Sequence, residues 1–168
     1  MAIFGLKGQS LKSLEGDWND VPADLSLESK KVVAFYFSAH WCPPCRNFAP
    51  ILKAAYDEYS EESNDIEIVF VSSERSLEDM KEYMKTSLGS WLALPYNSKP
   101  CASLKARFNI QGIPAVIVCK NDGQVITKDG RGDIQRAGPE GMRQWLTKIC
   151  YCYGYVIRCT ACKNIILR

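Results

Sequence analysis

The chain of 168 residues carries a formal net charge of +2, with 46% hydrophobic and 24% charged residues. This length fits one domain, and the composition is typical of a globular protein with a substantial apolar core. The near-balanced charge does not favour nucleic acid or an anionic membrane as a partner. The apolar runs are shorter than the ~20 residues that span a bilayer, and the N-terminus lacks a signal-peptide pattern. We therefore expect a monomer in the cytoplasm or nucleus, a reducing setting in which eight cysteines do not indicate a disulfide framework.

Two continuous apolar runs predict buried strands in the first half of the chain. Val32–Phe37 and Ile66–Val71 are rich in β-branched and aromatic side chains, as are strands covered on both faces. Between them, apolar residues recur at steps of three and four from Phe48 to Tyr59, which predicts a helix with one buried face. Pro43 would stand in its first turn, a position that tolerates proline. Residues 1–29 predict only short fragments of strand or helix.

The second half alternates helical patterns with a hairpin signal. We predict helices from Ser76, as the cap, to about Ser87, over about Cys101–Phe108, and over Pro139–Ile149. Residues 114–119 and 124–127 flank an Asn-Asp-Gly turn, which predicts a β-hairpin. The order of elements predicts an α/β fold in which a mixed central sheet is flanked by helices on both faces.

The segment Trp41-Cys-Pro-Pro-Cys45 falls between the first buried strand and the following helix. A cysteine at a helix N-terminus faces the positive end of the dipole and the free backbone N–H groups, which stabilise a thiolate. The thiolate is the nucleophile of disulfide exchange. We therefore predict that Cys42 attacks a disulfide and that Cys45, one turn further on, resolves the mixed disulfide. The alternative is half of a zinc site, but the position between strand and helix does not fit a zinc knuckle.

A second element lies at Ile113-Pro114, immediately before the predicted strand at residues 114–119. A proline at the first residue of a strand can follow a cis peptide bond. If it lies opposite the cysteines, the neighbouring backbone is free to pair with an extended substrate. We therefore predict substrate-binding roles for Ile113 and Pro114, and for Trp41 and Pro43 beside the cysteines. The alternative is an ordinary trans proline that begins a strand.

Trp41-Cys-Pro-Pro-Cys45-Arg46 together with Ile113-Pro114 resembles the thioredoxin superfamily, in particular its tryparedoxin and nucleoredoxin branch. Spacing and length are most similar to the nucleoredoxin-like proteins. The similarity runs from about Lys31 to Ile149, so we expect a thioredoxin-like domain over residues 1–149. Residues 150–168 would form a Cys-rich extension, which we expect to be poorly ordered. The resemblance implies a thioredoxin fold, a dithiol–disulfide cycle, protein disulfide substrates, no bound cofactor and an external thiol or dithiol as electron donor.

One departure from the family concerns the proton on Cys45. Thioredoxins proper place a buried Asp behind the cysteines, where this chain, like the tryparedoxins, has Tyr36. No single base is evident, so Glu74, His40 and Tyr36 are the candidates for a proton relay. The alternative for Glu74 is a solvated loop acid, and for His40 an exposed side chain.

The remaining cysteines do not resemble the family motif. Cys101 and Cys119 are predicted to be structural, since a buried free cysteine behaves as a small hydrophobe. Four thiols near the C-terminus match the number of ligands of a zinc site or could form an auxiliary thiol pair, although we favour incidental cysteines and no bound metal. They are Cys150, Cys152, Cys159 and Cys162.

The predicted function is a protein-disulfide reductase. Two alternatives remain open: a redox-sensitive binding or signalling protein with little general reductase activity, and a metal-binding module that rests on the C-terminal cysteines alone.

Overall fold

The computed structural model describes residues 5–14 and 18–151, which hold seven strands and six helices. The strands are β1 (Ser10–Ser13), β2 (Asn19–Pro22), β3 (Val32–Ser38), β4 (Ile66–Ser72), β5 (Leu92–Ala93), β6 (Ala115–Lys120) and β7 (Val125–Thr127). The helices are α1 (Ala23–Glu28), α2 (Pro43–Glu62), α3 (Leu77–Ser87), α4 (Lys99–Arg107), α5 (Gly130–Ala137) and α6 (Pro139–Tyr151). None of these helices is long and apolar enough to cross a membrane.

The strands form one mixed sheet in the order β2-β1-β5-β4-β3-β6-β7. β3 and β4 pair in parallel from Val32 with Ile66 to Ser38 with Ser72, and β6 runs antiparallel along the other side of β3. Every residue of β3 and β4 is buried, which explains their continuous apolar sequences. The predicted mixed sheet is confirmed.

Helices cover both faces of the sheet, as predicted. Alternate residues of the central strands enter two separate cores: α2, α3, α5 and α6 pack on one face, and α1 and α4 on the other. The first core contains Trp91 and Trp145, both fully buried. β3 is paired with β4 and β6 on its two sides, and its side chains pack into both cores. The position of its carboxyl end, where the next loop begins, is therefore fixed.

The predicted hairpin and the helix capped by Ser76 are confirmed. β6 and β7 pair antiparallel around the turn, and the Ser76 hydroxyl accepts a hydrogen bond from the Asp79 backbone N–H at 3.0 Å. α2 continues through Pro50, which lies inside the helix.

The N-terminal region contains the short strand and helix fragments that its sequence predicts, and the structure adds that both strands belong to the central sheet. β1 and β2 form an antiparallel hairpin, and β1 adds to the sheet through Lys12 opposite Ala93 of β5. Leu11 is fully buried in the second core. Each strand is four residues long and offers too few apolar positions for a period to be recognised, so only the pairing partners reveal their place in the sheet.

α5 is a difference from the prediction, since the sequence predicts no helix at Gly130–Ala137. Two glycines and a single buried aliphatic side chain, that of Ile134, give no helical signal. The helix is held by local and tertiary contacts. Asp129 caps it by accepting from the Gly132 N–H at 3.2 Å, and a Cβ on Gly130 would lie 2.8 Å from the side chain of Val116.

Candidate active site

The two cysteines of the predicted dithiol lie where β3 passes into α2. Cys42 is the N-cap residue, with extended backbone angles, and Cys45 lies in the first turn. The backbone N–H groups of Cys45 and Arg46 both donate to the Cys42 carbonyl, at 3.0 and 3.1 Å. Pro43 and Pro44 have no N–H to offer. Cys42 therefore lies at the positive end of the α2 dipole, and the first N–H groups of the helix are engaged by its carbonyl or missing at the prolines.

The two thiols differ in their access to solvent. Cys42 is 5% exposed and Cys45 is fully buried. The Cys42 thiol donates to the Ile113 carbonyl, with sulfur and oxygen 3.7 Å apart, and the Ile113–Pro114 peptide bond is cis. The predicted cis peptide bond is confirmed, and Ile113 is the residue that it brings against the cysteines.

Cys45 is held as a neutral thiol. Burial and, after it, the adjacent Cys42 thiol raise the pKa of Cys45 to about 11, and the nearby Ser38 hydroxyl and Ala39 backbone oppose this rise. In the reduced protein near neutral pH, Cys45 therefore keeps its proton, and Cys42 is the sulfur open to an external disulfide.

The loop that carries the motif is clamped by the segment that follows β4. The His40 backbone N–H donates to the Glu74 carboxylate, and the Trp41 indole N–H donates to the Ser73 carbonyl at 2.9 Å. From the other side, the Arg46 guanidinium donates to the His40 carbonyl at 2.8 Å. These contacts fix the loop backbone, so Glu74 is placed to position the loop.

Trp41 forms the largest exposed apolar surface of the motif. Its side chain is 48% exposed, and the Arg75 guanidinium lies 5.5 Å from the centroid of its ring. Pro43 is exposed next to it, whereas Pro114 is buried. An exposed aromatic ring with one fixed edge suits contact with a partner chain at little further entropic cost.

The three predicted proton-relay residues lie in different surroundings. Tyr36 is fully buried, and burial raises its pKa far above the usual range. Within the described part of the chain its hydroxyl has no hydrogen bond of normal geometry, although those of Ser38 and Tyr83 are near enough to affect its pKa. His40 is exposed, and its ring centroid lies 5.3 Å from that of Tyr83. Glu74 accepts a hydrogen bond from the His40 backbone N–H, and its charge contributes to raising the pKa of Tyr83.

Two residues of the site escape sequence reasoning: Ser38 and Tyr83, whose hydroxyl oxygens lie 3.2 Å apart. For Ser38, the signal in the sequence was a hydroxyl-bearing residue at the end of an otherwise apolar strand. Tyr83 lies on the buried face of an amphipathic helix, where an aromatic residue indicates ordinary core packing.

The other described thiols lie apart from the motif, in the second core. Cys101 donates to the Pro95 carbonyl at 3.4 Å, and burial raises the pKa of Cys119 to about 12. Across residues 5–14 and 18–151, no group of three or more His, Cys, Asp or Glu side chains could hold a metal ion. The zinc alternative falls on Cys150, Cys152, Cys159 and Cys162, whose side chains lie outside the described structure, and it stays a prediction.

Comparisons with known proteins identify relatives for most of the chain. The family model of thioredoxin-like proteins matches residues 30–125. Mouse nucleoredoxin is 43% identical over 114 residues, which are 65% of this chain and 26% of the relative. Human nucleoredoxin-like protein 1 is 34% identical over 133 residues, 75% of this chain and 62% of that protein. This chain thus spans about a quarter of the length of the mouse nucleoredoxin that it matches.

Solved structures agree with this placement. A thioredoxin from Wuchereria bancrofti has a TM-score of 0.73 at 45% identity, covering 84% of this chain and 96% of its own. Tryparedoxin II from Crithidia fasciculata has a TM-score of 0.70 at 30% identity, covering 83% and 94%. The chain therefore belongs to the thioredoxin-like family, is similar to nucleoredoxins and tryparedoxins, and has the adjacent cysteines expected of a thiol–disulfide oxidoreductase of that family.

Proposed function

We propose that this protein reduces disulfides in protein substrates, with Cys42 as the nucleophile and Cys45 as the resolving thiol. The observation that carries the proposal is the asymmetry of the pair. Cys42 caps α2 beside the exposed Trp41, whereas Cys45 lies fully buried behind it with a pKa raised to about 11. A first thiol at the protein surface with a small accessible fraction, and a second thiol that is fully buried, suit a two-step exchange.

In the first step the Cys42 thiolate attacks one sulfur of the substrate disulfide. A bond forms between the Cys42 sulfur and that atom while the substrate S–S bond breaks, and the other substrate sulfur departs as a thiolate that takes a proton from solvent. The dipole of α2 favours the attacking thiolate. The product is a mixed disulfide that joins the protein to its substrate.

In the second step Cys45 attacks the Cys42 sulfur. A Cys42–Cys45 disulfide forms, the mixed disulfide breaks, and the proton of Cys45 ends on the departing substrate sulfur. The two thiols already lie close enough to affect the pKa of Cys45, so little rearrangement is needed. The substrate gains two electrons and two protons, and an external thiol or dithiol then reduces the protein for the next cycle.

Substrate docking is proposed at Trp41 and Pro43, which flank Cys42 in the chain, and at Ile113 and Pro114, which share the cis peptide bond. The Ile113 carbonyl accepts from the Cys42 thiol in the free protein, so it becomes available to a substrate N–H once that sulfur is engaged. The half-exposed ring of Trp41 would cover apolar groups next to the substrate disulfide.

The test is reduction of insulin disulfides with dithiothreitol as the electron donor. We expect wild type to turn over, Cys42→Ser to be inactive, and Cys45→Ser to accumulate a mixed disulfide at Cys42, identified by peptide mass mapping. Cys101→Ser, which removes a buried thiol of the second core, is the matched control and should retain activity. Folded wild-type protein without turnover would refute the reductase and favour a redox-sensitive binding protein instead.

A further inference from the structure

A row of hydroxyl groups lies behind the buried member of the dithiol. Ser38 closes β3 with its side chain fully buried, and its oxygen is 3.2 Å from the hydroxyl oxygen of Tyr83 on α3. Tyr83 is itself only 1% exposed. The Ser38 hydroxyl is also near enough to Cys45 to lower the pKa of that thiol. Cys45, Ser38 and Tyr83 therefore form one buried cluster, drawn from three elements of the fold.

Packing alone does not account for this row. Burial of a hydroxyl is unfavourable unless it is hydrogen-bonded, and an apolar side chain would fill the end of β3 equally well. A hydroxyl differs from an apolar group because it accepts one hydrogen bond and donates another. With Tyr83 as donor to its oxygen, Ser38 has its own hydrogen free for the Cys45 sulfur.

Two tyrosines lie near Cys45 in addition to Cys42. Tyr36 from β3 and Tyr83 from α3 both interact with the Cys45 thiol. Burial raises the pKa of both tyrosines, so both keep their protons near neutral pH. Glu74, in the loop after β4, also contributes to raising the pKa of Tyr83. Stabilisation of a Cys45 thiolate by neutral hydroxyls is therefore the interaction that these surroundings offer.

We propose that Ser38 is a positioning residue for the resolving step, donating its hydrogen bond to the Cys45 sulfur as that sulfur attacks, while Tyr83 holds the Ser38 hydroxyl in this orientation. The inference rests on the proposed oxidoreductase cycle. Ser38 and Tyr83 keep their protons throughout. The Cys45 proton passes to the departing substrate sulfur, and the new bond joins the Cys42 and Cys45 sulfurs.

Rapid-quench kinetics with oxidised glutathione separates the two steps. The Cys42–glutathione adduct, located by peptide mass mapping after acid quench, rises with the first attack and decays as Cys45 resolves it. Hydrogen bonds to charged groups predict that Ser38→Ala slows the decay about ten- to hundredfold near pH 7. Tyr83→Phe should slow it less, in the same direction. In both variants the rise should stay within about twofold of wild type, and the decay should recover at higher pH, where Cys45 ionises without help.

Tyr59→Phe is the matched control, because it removes another buried tyrosine hydroxyl, near the far end of α2. It should leave both rise and decay unchanged. An unchanged decay in Ser38→Ala, an equal slowing of rise and decay, or a larger loss in Tyr36→Phe would overturn the proposal. If folded wild type forms no adduct or never resolves it, the oxidoreductase cycle itself fails, which is a distinct result. Tyr83→Phe keeps the test decisive if Ser38→Ala does not fold.

Discussion

Replacing Lys30 by methionine should destabilise the fold strongly, although Lys30 lies at the opposite end of β3 from the dithiol. Its ammonium group is 3.3 Å from the Glu67 carboxylate, and the two side chains are only 8% and 10% exposed. Asn64 also accepts a hydrogen bond from Lys30. Methionine keeps most of the side-chain volume but leaves the Glu67 charge buried without its partner.

The expected loss follows from this burial. Breaking a buried pair by removing one partner costs about 3–5 kcal/mol, because the remaining charge stays desolvated. Domains of this kind have a free energy of unfolding of roughly 5–15 kcal/mol, so the loss is a large fraction of the total. With a urea m-value of about 2 kcal/mol per molar, the unfolding midpoint should fall by about 1.5–2.5 M.

The loss should also depend on pH. Burial raises the pKa of Glu67, and Lys30 opposes that rise. The pKa of a glutamate in the unfolded chain is about 4.3. A carboxyl group whose pKa is higher in the folded protein contributes stability that is fully present below about pH 4.3. That stability is lost as the pH rises through the pKa of the folded state. Removing Lys30 raises the folded pKa further. The difference between variant and wild type should therefore be greatest near pH 7 and shrink toward about pH 5.

Urea unfolding under reducing conditions, followed by circular dichroism at both pH values, measures these quantities. Lys53→Met is the matched control: it breaks an i,i+4 pair with Asp57 whose side chains are 43% and 51% exposed, and such pairs contribute at most about 1 kcal/mol. Equal losses in the two variants at neutral pH, or a Lys30→Met loss that grows on acidification, would refute the reasoning.

Two further predictions concern the site. Trp41→Ala should raise KM for a protein disulfide about three- to tenfold with kcat little changed, because the proposed docking role of the exposed ring is substrate contact and not attack by the sulfurs. Steady-state insulin reduction measures this. Iodoacetamide near pH 8 should alkylate Cys42 in the folded protein while sparing Cys45 and Cys119, whose pKa values are raised to about 11 and about 12. Peptide mass mapping identifies the modified thiols.

Each of these predictions has its own control. Leu25→Ala removes another exposed apolar side chain, in α1 on the other face of the sheet, and should leave KM unchanged. An equal KM change in Leu25→Ala would argue against docking at Trp41. In urea all the cysteines should react. Rapid modification of Cys45 in the folded protein would contradict its assignment as the protected thiol.

The local elements of the site follow from the sequence because their signals are contiguous. A strand that is buried on both faces is apolar along its length, so β3 can be predicted from its own residues. Pro43 and the apolar positions that follow Cys45 mark the start and buried face of α2 in the same way. The position of the dithiol, between strand and helix, therefore depends on neighbouring residues alone.

Tertiary structure decided what surrounds the dithiol, because those contacts join residues distant along the chain. The Ile113 carbonyl meets Cys42 across 71 residues, and Tyr83 meets Ser38 across 45. Neither contact can be recognised from a pattern in the sequence. The contact with Cys42 is made by a backbone carbonyl, and the contact with Ser38 is made by a tyrosine on an ordinary amphipathic helix. The sequence thus determined where the two cysteines lie. The sheet order and the packing of α3 determined which groups face them. The physical reason is that strand neighbours and helix contacts are set by the burial of the whole core.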